Sequence, residues 1–140
     1  MTSSQHLTLH FANKAEEAPR IQRRLEHYLH DQGIPESITN RLLLCVDELI
    51  TNIIAHAYTD KEDHAVLLEC RISADRIELE LRDDGKAFDP TLQESPNTEL
   101  DLEQRDIGGL GIHLVLTLMD KVEYRREGDF NVLVSTKMLA

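Results

Sequence analysis

Three polar side chains recur every fourth residue in the largely apolar stretch DELITNIIAHAY, residues 47–58: Glu48, Asn52 and His56. On a helix of 3.6 residues per turn, positions four apart are offset by only about 40°, so the three share one narrow stripe beside the apolar one. A carboxylate one turn from a carboxamide suits metal and nucleophile chemistry. The Asn52 amide oxygen can ligate a hard cation such as Mg²⁺. The Glu48 carboxylate can orient or deprotonate an attacking hydroxyl or water. A solvated helix face, or a buried Asn and His tethering nearby loops, is equally open from this stripe alone. His56 reads as a packing histidine at the helix end.

A second cluster is LRDDGKAFDP, residues 81–90. Asp83 closes an apolar strand, where a carboxylate can project into a pocket and accept a hydrogen bond from an exocyclic amine such as that of adenine. Gly85 in the following turn lets the backbone pass close to a flat ring. Lys86 reads as a solvated charge beside it. Most Asp-x-Gly turns only reverse the chain, so the cluster gains meaning from its company. The third cluster is GGLGIHL, with Gly108, Gly109 and Gly111 where a helix begins. Exposed amides and the positive dipole end there favour phosphate, and a hinge with a helix cap remains the other reading. No Gly-Lys-Ser/Thr follows and no strand leads directly in, which sets aside the Walker A and Rossmann patterns.

The elements that must position these groups follow from periodicity. Residues 6–12 alternate as a half-buried strand. Residues 14–32 form a helix with Ala18, Ile21, Leu25, Tyr28 and Leu29 on one stripe, stopped by Gly33 and Pro35. A second helix runs from about Ser37 to Tyr58, with Leu42, Val46, Leu49, Ile50, Ile53 and Ala57 apolar at helical spacing. Two strands follow, HAVLLECRIS and RIELELRDDG, turning near Ala74 and Asp75. Residues 90–107 are polar, acidic and aperiodic with two prolines, the marks of a functional lid. A helix resumes at the glycines, and the strands KVEYRRE and FNVLVSTKML close the chain. This order predicts one α+β domain over residues 1–140: a two-layer sandwich of a mixed, mostly antiparallel sheet and three helices, with a mobile lid at about 90–108.

Composition narrows the function. The formal net charge is −11, without a basic face for phosphate neutralisation, so nucleic acid is not the expected partner. Cys45 and Cys70 match no zinc or redox spacing and read as buried, reduced thiols. Neither a signal peptide nor an apolar run of membrane-spanning length is visible, and a cytoplasmic protein is expected.

Taken together, the three clusters resemble the GHKL ATPase superfamily: ELITNIIAHAY its N box, DDGKAFDP its G1 box and IGGLGIHLVLTLMD its G2 box. The branch it most resembles is the small anti-sigma factors that are also serine protein kinases of the partner-switching type, and the resemblance covers nearly the whole chain. It implies a Bergerat-type ATP-binding fold with ATP and Mg²⁺ as cofactors. Glu48 would be the general base for a protein hydroxyl and Asn52 the Mg²⁺ ligand. Asp83 would bind the adenine amine with Gly85 and Ala87 beside it, and Asn131 would support adenine from the last strand. Gly108, Gly109 and Gly111 would flank the triphosphate. Ala87 stands where the family pattern has a second glycine. Its methyl is tolerated if φ is negative and costs about 1–2 kcal/mol in a left-handed conformation.

The resemblance further implies a serine/threonine protein kinase that phosphorylates a STAS-domain antagonist and sequesters a sigma factor or comparable target, with a homodimer among its possible assemblies. The alternative is an ATP-binding, partner-sequestering module without useful phosphotransfer. A two-component histidine kinase would need a separate helical hairpin carrying the phosphorylated histidine, for which 140 residues leave no room.

Overall fold

The computed structural model describes residues 5–58, 60, 62–92 and 107–139, with the backbone alone for Gln5 and residues 107–111. The chain opens with strand β1 (Gln5–Ala12), then a 3-10 turn (Ala15–Glu17) that leads into helix α1 (Ala18–Asp31). Pro19 suits the first helical turn, where its missing N–H is not needed. α1 stops as the Gly33–Pro35 signal predicts. Gly33 has φ 75°, its N–H donates to His30 O at 3.0 Å, and Ile34 N donates to Leu29 O at 3.1 Å. These two bonds are the Schellman pattern, which needs a left-handed residue at Gly33.

Helix α2 (Glu36–His56) follows, then strands β2 (Ala65–Ile72) and β3 (Arg76–Asp83), a second 3-10 turn (Pro90–Leu92), helix α3 (Ile107–Leu118), and strands β4 (Lys121–Glu127) and β5 (Phe130–Met138). The strands form one sheet in the order β1-β2-β3-β5-β4. Every pairing among the described residues is antiparallel, so the sheet expected to be mixed and mostly antiparallel is wholly so here. A strand–helix–strand connection from β3 through α3 to β4 would pair its strands in parallel. Here β5 folds back through the two-residue turn at Gly128 (φ 58°) and inserts between them.

All three helices contribute to a core on one face of the sheet. From α1 it takes Ile21, Leu25 and Leu29, from α2 Leu42, Val46, Leu49 and Ile50, and from α3 Ile112 and Val115, with Met119 just past its end. They meet Leu68, Leu79 and Leu81 of the central strands. Burying each of the larger side chains contributes about 1.5–3 kcal/mol. The opposite face is polar, with Arg71 of β2 beside Glu69, Glu78 and Glu80, and Arg82 of β3 beside Glu127. Cys45 and Cys70 are free and buried, and burial pushes their thiols up to about 11 and about 12. No helix among the described residues is long and apolar enough to cross a membrane. Of the expected lid, residues 93–106 lie outside the described residues.

Candidate functional site

The inward-facing pairs along β3 and β5 are Leu79 with Ser135, Leu81 with Leu133 and, at the end, Asp83 with Asn131. The residue opposite Asn131 on β4 is Arg126, exposed at the sheet edge. α2 crosses this end of the sheet with its C-terminal turns, and between them lies a narrow cleft. Its walls are apolar, chiefly Leu49, Ile53, Leu81, Phe88 and Leu133, and its polar groups include Asn52, Asp83 and Asn131. These three are 6%, 5% and 5% exposed, so each is a nearly dry polar group that needs a partner.

Asp83 finds part of its need within the protein. Its Oδ1 accepts from Gly85 N at 2.9 Å and from Asn131 Nδ2 at 2.9 Å. Its Oδ2 takes no hydrogen bond from the described residues. Burial raises the carboxyl above its ordinary range, against the lowering effect of the Asn131 and Gly85 bonds. The Asp84 charge adds to the rise and the Arg126 guanidinium opposes it. Asn52 is less satisfied: its Oδ1 is buried without any hydrogen-bond partner among the described residues. A buried amide oxygen left bare costs about 1–3 kcal/mol, a cost that a cation or donor in the cleft removes. Glu48, one helical turn earlier, is half-buried and makes no hydrogen bond or ion pair with the described residues.

The turn after Asp83 is tied down from two sides. From α2, Ala57 O accepts from Lys86 N at 2.8 Å, and Tyr58 OH donates to Asp84 Oδ1 at 2.7 Å. His64 stacks on Tyr58 at 4.3 Å, with Nε2 2.8 Å from Asp60 Oδ1, a contact that raises the imidazole above its ordinary range. His56 stacks on Phe88 at 5.0 Å, in keeping with a packing histidine. From the sheet, Asn131 Nδ2 donates to Lys86 O at 2.8 Å, and its Oδ1 accepts from Tyr124 OH at 2.5 Å and from Phe88 N at 3.3 Å. Arg126 Nη1 donates to Gly85 O at 2.8 Å and to Asn131 Oδ1 at 3.2 Å.

Gly85 has a reason the sequence did not offer. A Cβ on it would lie 2.3 Å from Ala57 O and 2.6 Å from Ala57 Cβ, so the close approach is to the end of α2 rather than to a ring. Ala87 is exposed and is not among the positive-φ residues, so its methyl carries no left-handed strain. Gly108, Gly109 and Gly111 lie in the first turns of α3, whose later turns pack on α2. The structure thus brings Asn52, Asp83 and Asn131 together around one cleft, with Glu48 one turn along α2. Arg126, Tyr124 and Tyr58 were not singled out by sequence. The register Asp83–Asn131–Arg126 across three strands, fixed by the two-residue turn at Gly128, is the signal that could have found Arg126.

An apolar slot with an unsatisfied carboxylate oxygen at one wall suits a flat, amine-bearing ring. A bare amide oxygen across it, one turn from a carboxylate, suits a hard cation and proton transfer. Comparison with known proteins gives the family. The histidine kinase-like ATPase domain family matches residues 11–137. The serine/threonine-protein kinase BtrW of Bordetella bronchiseptica is 35% identical over 95 residues, 68% of this chain and 67% of its own. The serine-protein kinase RsbW of Listeria innocua is 40% identical over 92 residues, 62% of this chain and 59% of its own. The chain thus spans about three fifths to two thirds of the length of these curated relatives. Among solved structures, the RsbU and RsbW domains of Rv1364c from Mycobacterium tuberculosis share the fold at TM-score 0.61 and 14% identity, over 98% of this chain and 33% of that one.

Proposed function

The chain belongs to the histidine kinase-like ATPase family and is a homologue of the serine-protein kinases RsbW and BtrW, and from that premise we propose that it is itself an ATP-dependent serine/threonine protein kinase. The observation that carries this reading is the bare, buried Oδ1 of Asn52, a residue lining the cleft that also holds the half-satisfied Asp83 carboxylate. Mg²⁺ bound with ATP supplies neutralisation of the phosphate charge. Asn52 would hold that cation through Oδ1. Asp83 accepts the adenine amine through Oδ2, braced by Asn131, and the apolar walls take the ring. Ala87 and Gly85 form the turn beside it, and the free amides of Gly108 and Gly109 in the first turn of α3, with Gly111 following them, would receive the triphosphate. Glu48 takes the proton of a partner's Ser or Thr hydroxyl as that oxygen accepts the γ-phosphoryl group and ADP leaves. Residues 90–108 are assigned the part of a lid on their polarity and terminal glycines.

The substrate in this reading is a STAS-domain anti-anti-sigma protein, and the sequestered target a sigma factor or comparable regulator in the cytoplasm, with the kinase acting as a homodimer. Phosphorylation adds negative charge to the antagonist, and a protein of net charge −11 then repels it. The alternative of a binding module without phosphotransfer drew its support from strain at Ala87, which the backbone does not carry. Radiolabelled phosphate transfer from ATP to a purified STAS-domain protein tests the proposal. Stoichiometric labelling of a Ser or Thr is expected. ATP and partner binding without any transfer would leave the binding module as the correct reading.

A further inference from the structure

The carbonyl groups of the turn 83–88 are held by side chains from the neighbouring hairpin. Lys86 O is taken by Asn131, and Gly85 O by Arg126. The Asn131 amide is held in turn. Its Oδ1 meets three donors, from Tyr124, Arg126 and Phe88, and this orientation aims its Nδ2 at Asp83 Oδ1. Rotating the amide by 180° would set its NH₂ against those donors and its oxygen against a carboxylate. Arg126 alone among these residues grips both the turn and the amide, and it does so from β4, the edge strand, with Nε also bonded to Gly128 O at 3.1 Å. A charged donor makes both of its contacts stronger than neutral ones.

We propose that Arg126 is a positioning residue for base recognition: by clamping the Gly85 carbonyl and the Asn131 amide it aims Asp83 Oδ2 at the exocyclic amine of adenine, and so sets the preference for adenine over guanine nucleotides. The inference rests on the ATP reading above. Guanine presents a carbonyl oxygen where adenine presents its amine, so a fixed carboxylate repels guanine and a loosened one turns aside. Arg126 does not line the cleft, so it acts through the turn rather than on the ring.

The test is calorimetric titration of ATP, GTP and adenosine into the folded wild type, Arg126→Met and Arg126→Lys, with melting curves to establish folding. Arg126→Met is expected to weaken ATP and adenosine alike by roughly tenfold and to narrow the ATP-over-GTP ratio by a similar factor. Arg126→Lys keeps a cationic donor on the same strand position and should recover most of the ratio, which general loosening of the fold would not predict. An unchanged ratio in Arg126→Met overturns the inference. So does a loss confined to ATP with adenosine unaffected, since Arg126 would then act on the phosphates. If Arg126→Met does not fold, the ratio in Arg126→Lys and in Tyr124→Phe, which frees one of the three Asn131 contacts, decides in the same way. Asp83→Ala is the control: if it too binds ATP as the wild type does, the adenine assignment itself is wrong, whatever Arg126 does.

Discussion

Four buried side-chain polar atoms have no partner among the described residues, and two of them, Ser135 Oγ in the middle of the sheet and Asn52 Oδ1 on the helix that crosses its end, mean different things. Ser135 is fully buried on β5, with Leu79 on one side and Val122 on the other, and its hydroxyl is bare. Asn52 Oδ1 is equally bare, but its residue lines a cleft that also holds Asp83 and Asn131. In a dry core an unpartnered hydroxyl is a small stability loss and nothing more. Beside a cleft, the same loss becomes available to a ligand, whose binding restores the missing interaction.

The sharpest way to break this comparison is to remove chemistry at the cleft while leaving the fold alone. Glu48→Gln keeps shape and removes basicity, so phosphate transfer should fall by about 10²–10⁴-fold while ATP and partner binding stay close to wild type. Transfer at the wild-type rate would mean that Glu48 is not the base. Next comes Asp83→Ala, which strips the proposed amine acceptor and should weaken ATP by about 10- to 150-fold on titration.

Asp83 also carries a stability signature. Its folded pKa lies above the ordinary 3.8, so the fold binds this proton more tightly than the unfolded chain does. The penalty for keeping it ionised is therefore full above the folded value and fades as the pH falls towards 3.8. Asp83→Asn should melt at or above the wild-type temperature at neutral pH, with the difference shrinking in acid. A variant that melts lower than wild type at pH 7 would show that the carboxylate is a net support of the fold.

Gly85→Ala should act on both regions at once. The new Cβ meets backbone atoms of Ala57, which cannot rotate away, so the turn must shift and the Lys86–Ala57 bond must give. Overpacking of this kind costs about 1–3 kcal/mol. Lowered melting together with weakened ATP binding is expected. An unchanged melting temperature would mean that the turn has room it does not show.

How much of this was legible beforehand divides along the same line. The stripes Ile21–Leu25–Leu29 and Leu42–Val46–Leu49 predicted which helix faces are buried, because apolar burial is set by local period. Gly33 and Pro35 marked the end of α1 for an equally local reason. The strand alternation located Asp83 at a strand end. What the sequence hid were facts of pairing between distant segments. The insertion of β5 between β3 and β4 made the sheet fully antiparallel and put Arg126 and Tyr124 behind Asn131. The reason for Gly85 lies twenty-eight residues back, at Ala57. α1 begins at Ala18 rather than near Lys14, because a 3-10 turn precedes it, its Glu17 accepting from Ala12 N at 3.2 Å.

The smallest expected effect is the one that tests the comparison most directly. Ser135→Ala removes a buried hydroxyl whose lost hydration costs about 1–3 kcal/mol, and leaves a gap of one oxygen atom, whose lost packing offsets part of that gain. The net change should be neutral to about 1 kcal/mol more stable, with ATP affinity and phosphate transfer unaltered. Asn52→Ala should match it in the first respect and not in the second: the nucleotide-free protein melts no lower than wild type, yet Mg²⁺-dependent ATP binding is lost. Paired melting curves, each with and without Mg-ATP, make the distinction visible as a ligand-induced shift present in Ser135→Ala and absent in Asn52→Ala. If both variants keep the shift, Asn52 is another core orphan like Ser135. If Ser135→Ala melts several degrees lower, its hydroxyl has a partner in solution, and the contrast between sheet centre and cleft must be redrawn.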